Sequence, residues 1–350
     1  MTQEPAVLVR RSGRLGHLVL NRPRAINALT HEMVGMLAAT LDEWREDDAV
    51  ETVLLTGAGD RGLCAGGDIV SLFNDAKEGG TAGAQFWRDE YLLDLQIAEY
   101  PKPVVVIMDG IVLGGGIGIS AHASTRIVTE RSSIGMPEVG IGFVPDVGGS
   151  LLLARAPGEL GTHLALTAGS VGAGDAIAIG MADHFVPTDR IADLVSALET
   201  TDVATALAQT ATTPPRAPLL ADREWIDHAY AGDDLLTIIQ RLEVSRPEVA
   251  TRVRRHCPMS CAVALRSLRQ AATFDGLRQT LDQDLRLAIR LQQRADFVEG
   301  VRAQVIDKDR TPRWDPPTVE DLDPAAVDAC FAPLGDRELG LHHHDTRESA

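Results

Sequence analysis

The stretch that decides the fold reads VVVIMDGIVLGGGIGIS and covers residues 104–120. Its first part, Val104–Met108, is apolar at every position, which is typical of a strand buried on both faces of a parallel sheet. The glycines Gly114–Gly116 follow, and glycine there allows the backbone to approach a neighbouring segment or a ligand closely. We therefore predict a buried strand that leads into a glycine-rich turn and then into the apolar segment Ile117–Ala123.

The flanking sequence continues with alternating strands and helices. His17–Leu20 and Thr52–Thr56 are short apolar runs that end at turn residues, and Arg126–Thr129 has the composition of a further short strand. Between the first two runs, Thr30 is a suitable N-cap for an amphipathic helix over residues 31–45. Strands that alternate with helices in this way indicate an α/β fold with a buried sheet.

After about residue 187 the strand signals fade and helical periodicity predominates. The predicted helices are Ile191–Leu198, Leu235–Leu242, Ala262–Ala272 and Leu277–Gln293. Thr212–Pro218 is rich in threonine and proline and has the composition of a linker. We expect a core domain over residues 6–200, a helical region over 201–335 and a mobile tail over 336–350, which contains His342–His344.

The composition restricts the class of function. The chain has 350 residues, 45% of them hydrophobic, and a formal net charge of −17. Such an acidic protein lacks the basic face that nonspecific nucleic-acid binding requires. An anionic ligand would need a local basic patch, because the overall field of the protein repels it. Arg22, Arg24 and Lys308 are candidates for that patch, and each is equally compatible with a solvated surface charge.

The cysteines and histidines give no sign of a metal site. Cys64, Cys257, Cys261 and Cys330 form no paired CxxC pattern, and few cysteines in a long chain fit a reducing compartment. The histidines outside the tail are scattered without ligand spacing. No apolar run follows the arginines near residue 10, so we do not expect a secretory signal, and the longest apolar stretches, such as Pro103–Met108, are too short to span a bilayer. We expect a cytoplasmic protein with no metal, no nucleic acid and no membrane partner.

Two glycine-rich loops are candidates for the chemistry. Cys64–Asp68 follows the strand at Thr52–Thr56, and Gly114–Gly116 follows the strand at Val104–Met108. Backbone N–H groups of two such loops can converge on one oxygen, which is the geometry of an oxyanion hole. Tight turns or close packing explain each loop taken alone equally well. A dinucleotide-binding fingerprint is excluded by spacing, because residue 119 is Ile where that motif requires glycine.

Two acids lie in the apolar, glycine-rich segment that covers residues 136–149. Glu138 and Asp146 are costly to bury without partners, and desolvation raises a carboxyl pKa toward values that suit acid–base catalysis. The alternative is that each caps a turn or pairs with an arginine such as Arg126 or Arg155. No Gly-x-Ser-x-Gly nucleophile motif occurs in the chain, so a serine hydrolase mechanism is not expected.

These segments together resemble the crotonase (enoyl-CoA hydratase/isomerase) superfamily. The matching stretches are Leu20–Pro23 with Asn27–Leu29, Cys64–Asp68, Gly114–Gly116 and Pro137–Glu138. The resemblance implies a spiral of ββα units, a homo-oligomer (trimer or hexamer), and a CoA thioester as substrate with no separate cofactor. It also implies that the N–H groups of Gly67 and Gly115 form the oxyanion hole and that Ala65, Gly66 and Asp68 contact the substrate.

Within the superfamily the chain most resembles the 3-hydroxyisobutyryl-CoA hydrolase family. The segments that carry this similarity are Phe86–Tyr91, Gly142–Gly149, His163–Thr167, Asp296–Ala303 and Ile306–Trp314. The resemblance implies hydrolysis of a short 3-hydroxyacyl-CoA, as in valine catabolism. It implies that Glu138 is the catalytic carboxyl group, that Asp146 acts with it and that Glu90 binds the substrate.

One position departs from the hydratases of the superfamily. These carry a second catalytic glutamate three residues after the middle glycine of the triplet, and here that residue is Gly118. Hydration by a pair of glutamates is therefore less favoured than hydrolysis. An enoyl-CoA hydratase, a dienoyl-CoA isomerase and a non-catalytic acyl-CoA-binding protein remain the alternatives. The sequence leaves open whether Glu138 activates water or attacks the thioester itself.

Overall fold

The computed structural model describes residues 4–342. Its nine strands in that range are β1 (Val7–Ser12), β2 (Leu15–Leu20), β3 (Thr52–Gly57), β4 (Val104–Met108), β5 (Ile111–Leu113), β6 (Thr125–Val128), β7 (Ser133–Gly135), β8 (Ser170–Val171) and β9 (His184–Phe185). The first ten helices are α1 (His31–Arg45), α2 (Ile69–Glu78), α3 (Ala82–Ala98), α4 (Gly115–Ala121), α5 (Gly149–Ala154), α6 (Leu160–Thr167), α7 (Ala173–Ala178), α8 (Ile191–Leu198), α9 (Val203–Thr210) and α10 (Pro218–Ala221).

The C-terminal part continues with helices only. They are α11 (Arg223–Ala229), α12 (Leu235–Ser245), α13 (Pro247–Arg254), α14 (Pro258–Ala271), α15 (Leu277–Gln292), α16 (Ala295–Val301) and α17 (Pro324–Phe331). Short 3₁₀ helices lie at Pro23–Ala25, Glu138–Ile141, Thr188–Arg190, Val319–Asp321 and Gly335–Arg337, and a π-helical turn covers Arg302–Ile306. The predicted helices at 191–198, 235–242, 262–272 and 277–293 are all confirmed, with ends that differ by up to four residues.

Contacts divide the chain into two compact units. The first contains residues up to 67, 92–135 and 171–220, and the second contains 68–91, 136–170 and the chain from 221 onward. The units therefore interleave along the sequence. The boundary predicted near residue 200 lies inside the last segment of the first unit, and the division at that point stays a prediction.

A six-stranded sheet forms the framework of the first unit, in the order β1-β2-β3-β4-β6-β9. β1 and β2 form an antiparallel hairpin, and the remaining neighbours are parallel. Every residue of β4 is buried, as its continuous apolar sequence predicts for a strand inside a parallel sheet. A three-stranded sheet, in the order β5-β7-β8, follows beyond the turn at the end of β4.

The core of the first unit lies where the sheet meets α8 and α9. Leu54, Val105 and Ile127 from three neighbouring strands pack in one cluster with Leu194 and Leu198 of α8. The helix at 31–45 begins as predicted, because the Thr30 side chain accepts a hydrogen bond from the Met33 amide at 3.2 Å.

The second unit is built mainly from helices. α5 and α6 pack on α14, and α15 packs on α16 and α17. The Asp282 carboxylate in α15 accepts hydrogen bonds from the amides of Leu341 and His342, at 3.0 and 3.1 Å. Of the predicted mobile tail over residues 336–350, residues 336–342 are described, and residues 343–350, with His343 and His344, lie outside the described residues. Between residues 4 and 342 no helix is both long enough and apolar enough to cross a membrane.

Candidate functional site

The two glycine-rich loops of the first unit lie side by side. The Leu29 amide donates to the Gly66 carbonyl at 2.8 Å, and the Leu113 amide donates to the Cys64 carbonyl at 3.0 Å. Gly66 has φ +105°, and a Cβ built on it would lie 3.3 Å from the Leu113 carbonyl oxygen and 3.7 Å from the Gly115 nitrogen. The backbone conformation and the close approach both require glycine. The two loops are therefore adjacent, and the oxyanion hole itself stays a prediction.

The amides of Gly67 and Gly115 are available as donors. Within residues 4–342 neither N–H donates a hydrogen bond to a protein acceptor. Gly115 is the first residue of α4, where an amide has no carbonyl four residues earlier to bond within the helix. Both loops leave N–H groups that can stabilise negative charge on an oxygen atom.

The position that lacks a glutamate is filled from another helix. A Cβ built on Gly118 would lie 2.6 and 2.7 Å from the two carboxylate oxygens of Asp94, a fully buried residue of α3. Any side chain at 118 would overlap this carboxylate, so glycine is required there for steric reasons. Sequence reasoning identified the missing acid but not the group that occupies its space.

Glu138 begins a 3₁₀ helix in the second unit and is 7% exposed. Its carbonyl accepts the Phe143 amide at 3.1 Å, and Gly142 ends the turn with φ +75°. Its carboxyl oxygen Oε2 is buried and has no hydrogen-bond partner within the described residues. Burial first, and the charge of Asp146 second, raise the pKa of Glu138 well above its usual range. A carboxyl group with a raised pKa is suited to acid–base catalysis.

Asp146 is held by a tyrosine. The Tyr91 hydroxyl donates to Asp146 Oδ2 at 2.7 Å, and both residues are buried. Burial raises the pKa of Asp146 to about 7, although the hydrogen bond from Tyr91 opposes that shift. The arginine pairing considered from the sequence does not occur at Arg126, which pairs with Asp183 at 2.6 Å.

Glu90 completes the set of predicted acids in this unit. It lies one residue before Tyr91 in α3, and its Oε1 atom is buried without a hydrogen-bond partner within the described residues. Burial, then the charges of Asp146 and Glu138, raise its pKa well above the usual range. The structure therefore brings Glu90, Glu138 and Asp146 into one electrostatic group.

A fourth buried acid belongs to the same group. Asp284, in the middle of α15, is fully buried and accepts the Gly148 amide at 2.8 Å. Burial, then the charge of Asp146, raise the pKa of the Asp284 carboxyl well above its usual range. Sequence reasoning missed both Tyr91 and Asp284. The available signal was an acid within an otherwise amphipathic helix, and in α15 both Asp282 and Asp284 are buried.

Aromatic packing fixes the segments that carry these acids. Trp87 of α3 stacks on Phe143 with ring centroids 5.1 Å apart, and Phe143 lies 5.7 Å from Phe297 of α16. α16 comes close to the Glu138 turn, because a Cβ built on Gly300 would lie 2.5 Å from the Ile141 carbonyl oxygen. The C-terminal segment that resembled the hydrolases is thus a support for the turn that begins with Glu138.

The remaining predicted residues have mainly structural contacts. Asp68 caps α2 by accepting the Ser71 amide at 3.5 Å, and the Ala65 amide donates to the Ile26 carbonyl at 2.9 Å. The Arg22 guanidinium donates to the Ala28 carbonyl. The half-buried His163 ring has its Nδ1 atom 2.9 Å from the Tyr230 hydroxyl. Within residues 4–342 no three His, Cys, Asp or Glu side chains are grouped so that they could hold a metal ion.

Comparison with known proteins gives consistent matches over the whole fold. The family model described as Enoyl-CoA hydratase/isomerase matches residues 15–331. The chain is 34% identical to the mitochondrial 3-hydroxyisobutyryl-CoA hydrolase of Gallus gallus, over 96% of this chain and 91% of that protein. It is also 34% identical to 3-hydroxyisobutyryl-CoA hydrolase 1 of Arabidopsis thaliana, over 95% of this chain and 92% of that protein.

Solved structures match over a similar share of the chain. One titled carnitinyl-CoA dehydratase, from Mycobacterium thermoresistibile, is 47% identical with a TM-score of 0.93, over 96% of this chain and 98% of that one. One titled enoyl-CoA hydratase, from Rhodobacter sphaeroides, is 43% identical with a TM-score of 0.90, over 96% and 99%. The predicted fold class is confirmed, and the chain belongs to the enoyl-CoA hydratase/isomerase family.

Proposed function

We propose that this protein hydrolyses a short 3-hydroxyacyl-CoA thioester, with 3-hydroxyisobutyryl-CoA as the leading substrate. The observation that carries the proposal is the buried Glu138 carboxyl group, whose Oε2 atom has no hydrogen-bond partner within the described residues and whose pKa is raised by burial and by the charge of Asp146. We infer the acyl group of the substrate from the names of the vertebrate and plant relatives. The predicted products are 3-hydroxyisobutyrate and free CoA, which is consistent with a step in valine breakdown.

The thioester carbonyl oxygen is assigned to the amides of Gly67 and Gly115. Negative charge develops on this oxygen when a nucleophile adds to the carbonyl carbon. The two N–H groups have no protein acceptor within the described residues, so they are free to stabilise it. Loss of one such donor typically costs about 10²–10³ in rate. Ala65, Gly66 and Asp68 are assigned to contacts with the same substrate.

Glu138 is assigned as the catalytic carboxyl group. It removes a proton from the water that attacks the carbonyl carbon, or it attacks this carbon itself and forms a mixed anhydride that water then opens. In both routes the C–S bond breaks and CoA leaves as the thiolate, which takes up a proton. A single turnover in water labelled with oxygen-18 separates the two routes. Label in the Glu138 carboxyl group indicates the anhydride, and label in the product acid alone indicates that water adds to the acyl carbon, as the general-base route requires.

Asp146 and Glu90 are assigned to the acyl part of the substrate. Asp146 orients Glu138 or the substrate hydroxyl, or carries a proton between them, and Tyr91 fixes its direction. Glu90 binds the 3-hydroxyl group through its buried Oε1 atom. A hydroxyl partner would satisfy an oxygen that has no partner within the described residues.

Further assignments concern the cofactor, the oligomeric state and the cellular location of the enzyme. We expect no cofactor, since CoA is part of the substrate, and a homo-oligomer such as a trimer or hexamer. A cytoplasmic location fits the four buried free cysteines, and fractionation of the source cells would test it. The names of several relatives contain the word mitochondrial. Light scattering after gel filtration would give the oligomeric state.

Hydration or dehydration is the second candidate, and the titles of two similar solved structures favour it. Against it stands Gly118, whose side-chain space is filled by the Asp94 carboxylate. An assay of free thiol release, run beside an absorbance assay for enoyl-CoA, distinguishes the two. Thiol release without a change in the enoyl signal supports hydrolysis, and the reverse result supports hydration.

A non-catalytic acyl-CoA-binding protein is the alternative of another class. Buried carboxyl groups without partners are costly, and simple binding gives no reason to keep them. The Glu138→Gln variant tests this alternative. A variant that still binds CoA but releases no thiol supports catalysis, and wild-type protein that binds CoA without turnover supports the binding protein.

A further inference from the structure

The segment that follows Asp146 has an unfavourable backbone conformation. Val147 has φ +51° and Gly148 has φ +73°. A β-branched residue in the left-handed region is rare and costly, and it persists only where the surrounding structure holds it. Gly149 donates back to the Asp146 carbonyl at 2.6 Å, which closes a tight turn at this point.

Asp284 of α15 holds this turn from the C-terminal helices. Its Oδ2 atom accepts the Gly148 amide at 2.8 Å, and its Oδ1 atom lies 3.3 Å from the Ser150 hydroxyl. Asp284 and Ser150 are both fully buried, so water does not compete for these hydrogen bonds. Both carboxyl oxygens therefore fix the chain directly after Asp146.

The charge state of Asp284 is consistent with this role. Burial, and then the charge of Asp146, raise the pKa of its carboxyl group and so favour the neutral form. Asp284 accepts hydrogen bonds from the Gly148 amide and from the Ser150 hydroxyl, and these two bonds oppose the shift. An asparagine has the same shape: its Oδ1 can accept the Gly148 amide, and its Nδ2 can donate to the Ser150 hydroxyl oxygen in place of the bond that Asp284 accepts.

We propose that Asp284 is a positioning residue of the reaction, which sets the direction of the Asp146 carboxyl group by fixing the turn at residues 147–150. This inference rests on the proposed hydrolysis, in which Asp146 acts with Glu138. It assigns a role in catalysis to the long C-terminal region. Asp146 is then held from two sides, by Tyr91 at its carboxyl group and by Asp284 through its following backbone.

The test compares Asp284→Ala with Asp284→Asn in the full-length protein. We expect Asp284→Ala to lower kcat for thiol release by about 10- to 100-fold with little change in KM, because misplacement of a catalytic group costs that much. Asp284→Asn keeps the acceptor for the Gly148 amide and can donate to the Ser150 hydroxyl oxygen, so its kcat should remain within about threefold of the wild type. Asp282→Ala is the matched control, because Asp282 is buried in the same helix but bonds Leu341 and His342, and its kcat should not change.

A second measurement does not depend on activity. Hydrogen–deuterium exchange in a peptide that covers residues 146–152 should be slow in the wild type and in Asp284→Asn, and faster in Asp284→Ala. If Asp284→Ala does not fold, Asp284→Glu displaces the acceptor by one methylene group and should lower kcat by about tenfold or more.

Two results would overturn the positioning role. One is Asp284→Ala with wild-type kcat and wild-type exchange. The other is a folded Asp284→Asn as impaired as Asp284→Ala, because the charge and not the geometry would then matter. Wild-type protein that releases no thiol would contradict the proposed hydrolysis instead, and the exchange data would still report on the turn.

Discussion

The Tyr91 hydroxyl donates a hydrogen bond of 2.7 Å to Asp146 Oδ2, and both side chains are buried. This bond favours the charged form of Asp146 in a place where burial opposes it. It also fixes the direction of the carboxyl group, since a buried tyrosine has few alternative rotamers. The pair links α3, which carries Glu90, to the segment that carries Glu138.

We predict that Tyr91→Phe impairs turnover through Asp146 alone. A hydrogen bond to a charged group contributes about 1.5–3 kcal/mol, so kcat should fall by about tenfold or more. The check is a double-mutant cycle with Asp146→Ala, measured by thiol release. In the Asp146→Ala background Tyr91→Phe should have no further effect. If the kcat losses of the two single variants multiply in the double variant, Tyr91 acts through a group other than Asp146.

Asp146→Asn should change how stability depends on pH. The folded state raises the pKa of Asp146 from 3.8 to about 7, so the folded protein binds this proton more tightly than the unfolded chain. The contribution of this proton to the free energy of unfolding is therefore complete in acid, and it is lost as the pH rises from about 4 to about 7. The substituted asparagine cannot ionise. The free energy of unfolding of the variant relative to the wild type should therefore be higher at pH 8 than at pH 5, by about 1 kcal/mol or more.

Denaturant unfolding at these two pH values measures the gain from Asp146→Asn. The exposed Asp48 provides the control, because Asp48→Asn should give the same difference from the wild type at both values. A difference between Asp146→Asn and the wild type that is equal at pH 5 and pH 8 would show that Asp146 is not held neutral by burial.

Gly118→Ala should destabilise the protein without creating a hydratase. The new methyl group would overlap the Asp94 carboxylate, and overpacking of this kind costs about 1–3 kcal/mol. Asp94→Ala removes the overlapping atoms, so Gly118→Ala should cost much less in that background. Gly118→Glu should be worse than Gly118→Ala for the same reason. If the losses in the free energy of unfolding of the two single variants simply add in the double variant, the steric explanation is wrong.

Glu90 should discriminate substrates by their 3-hydroxyl group. We expect Glu90→Leu to lower kcat/KM for 3-hydroxyisobutyryl-CoA by about 10- to 100-fold, because the substrate hydroxyl loses a buried partner. The plain isobutyryl-CoA should lose far less. Glu90→Gln, which still forms hydrogen bonds, is the matched control and should retain most of the preference. Equal losses on both substrates would remove the assigned role.

The sequence predicts the parts of the fold that depend on local pattern. Val104–Met108 is a strand with the predicted bounds because an unbroken apolar run has few alternatives once glycine ends it. The helix at residues 31–45 follows from its cap. The strand Val7–Ser12 and the helix Pro324–Phe331 were not predicted, because the first is mostly exposed and polar and the second is short.

The same distinction holds for the site residues: local pattern predicts some of them, and others depend on tertiary contacts. Glu138 and Asp146 attract attention because acids are rare in apolar, glycine-rich sequence. Tyr91, Asp94 and Asp284 were missed because each acts on a group that is distant in the chain, and no local pattern encodes such a contact. Asp284 contacts a turn 136 residues earlier. Only the tertiary fold reveals that the long C-terminal region supports the segment with Glu138 and Asp146.

The most direct test of the account is thiol release from 3-hydroxyisobutyryl-CoA by the wild type and by Glu138→Gln, with CoA binding measured by calorimetry on the same samples. The account predicts that the wild type releases free CoA. Glu138→Gln should bind CoA with similar affinity and lose about 10²–10⁴ in kcat, which is the range for a general base. A wild-type protein that yields an enoyl-CoA and no thiol, or a Glu138→Gln variant with full activity, would contradict it.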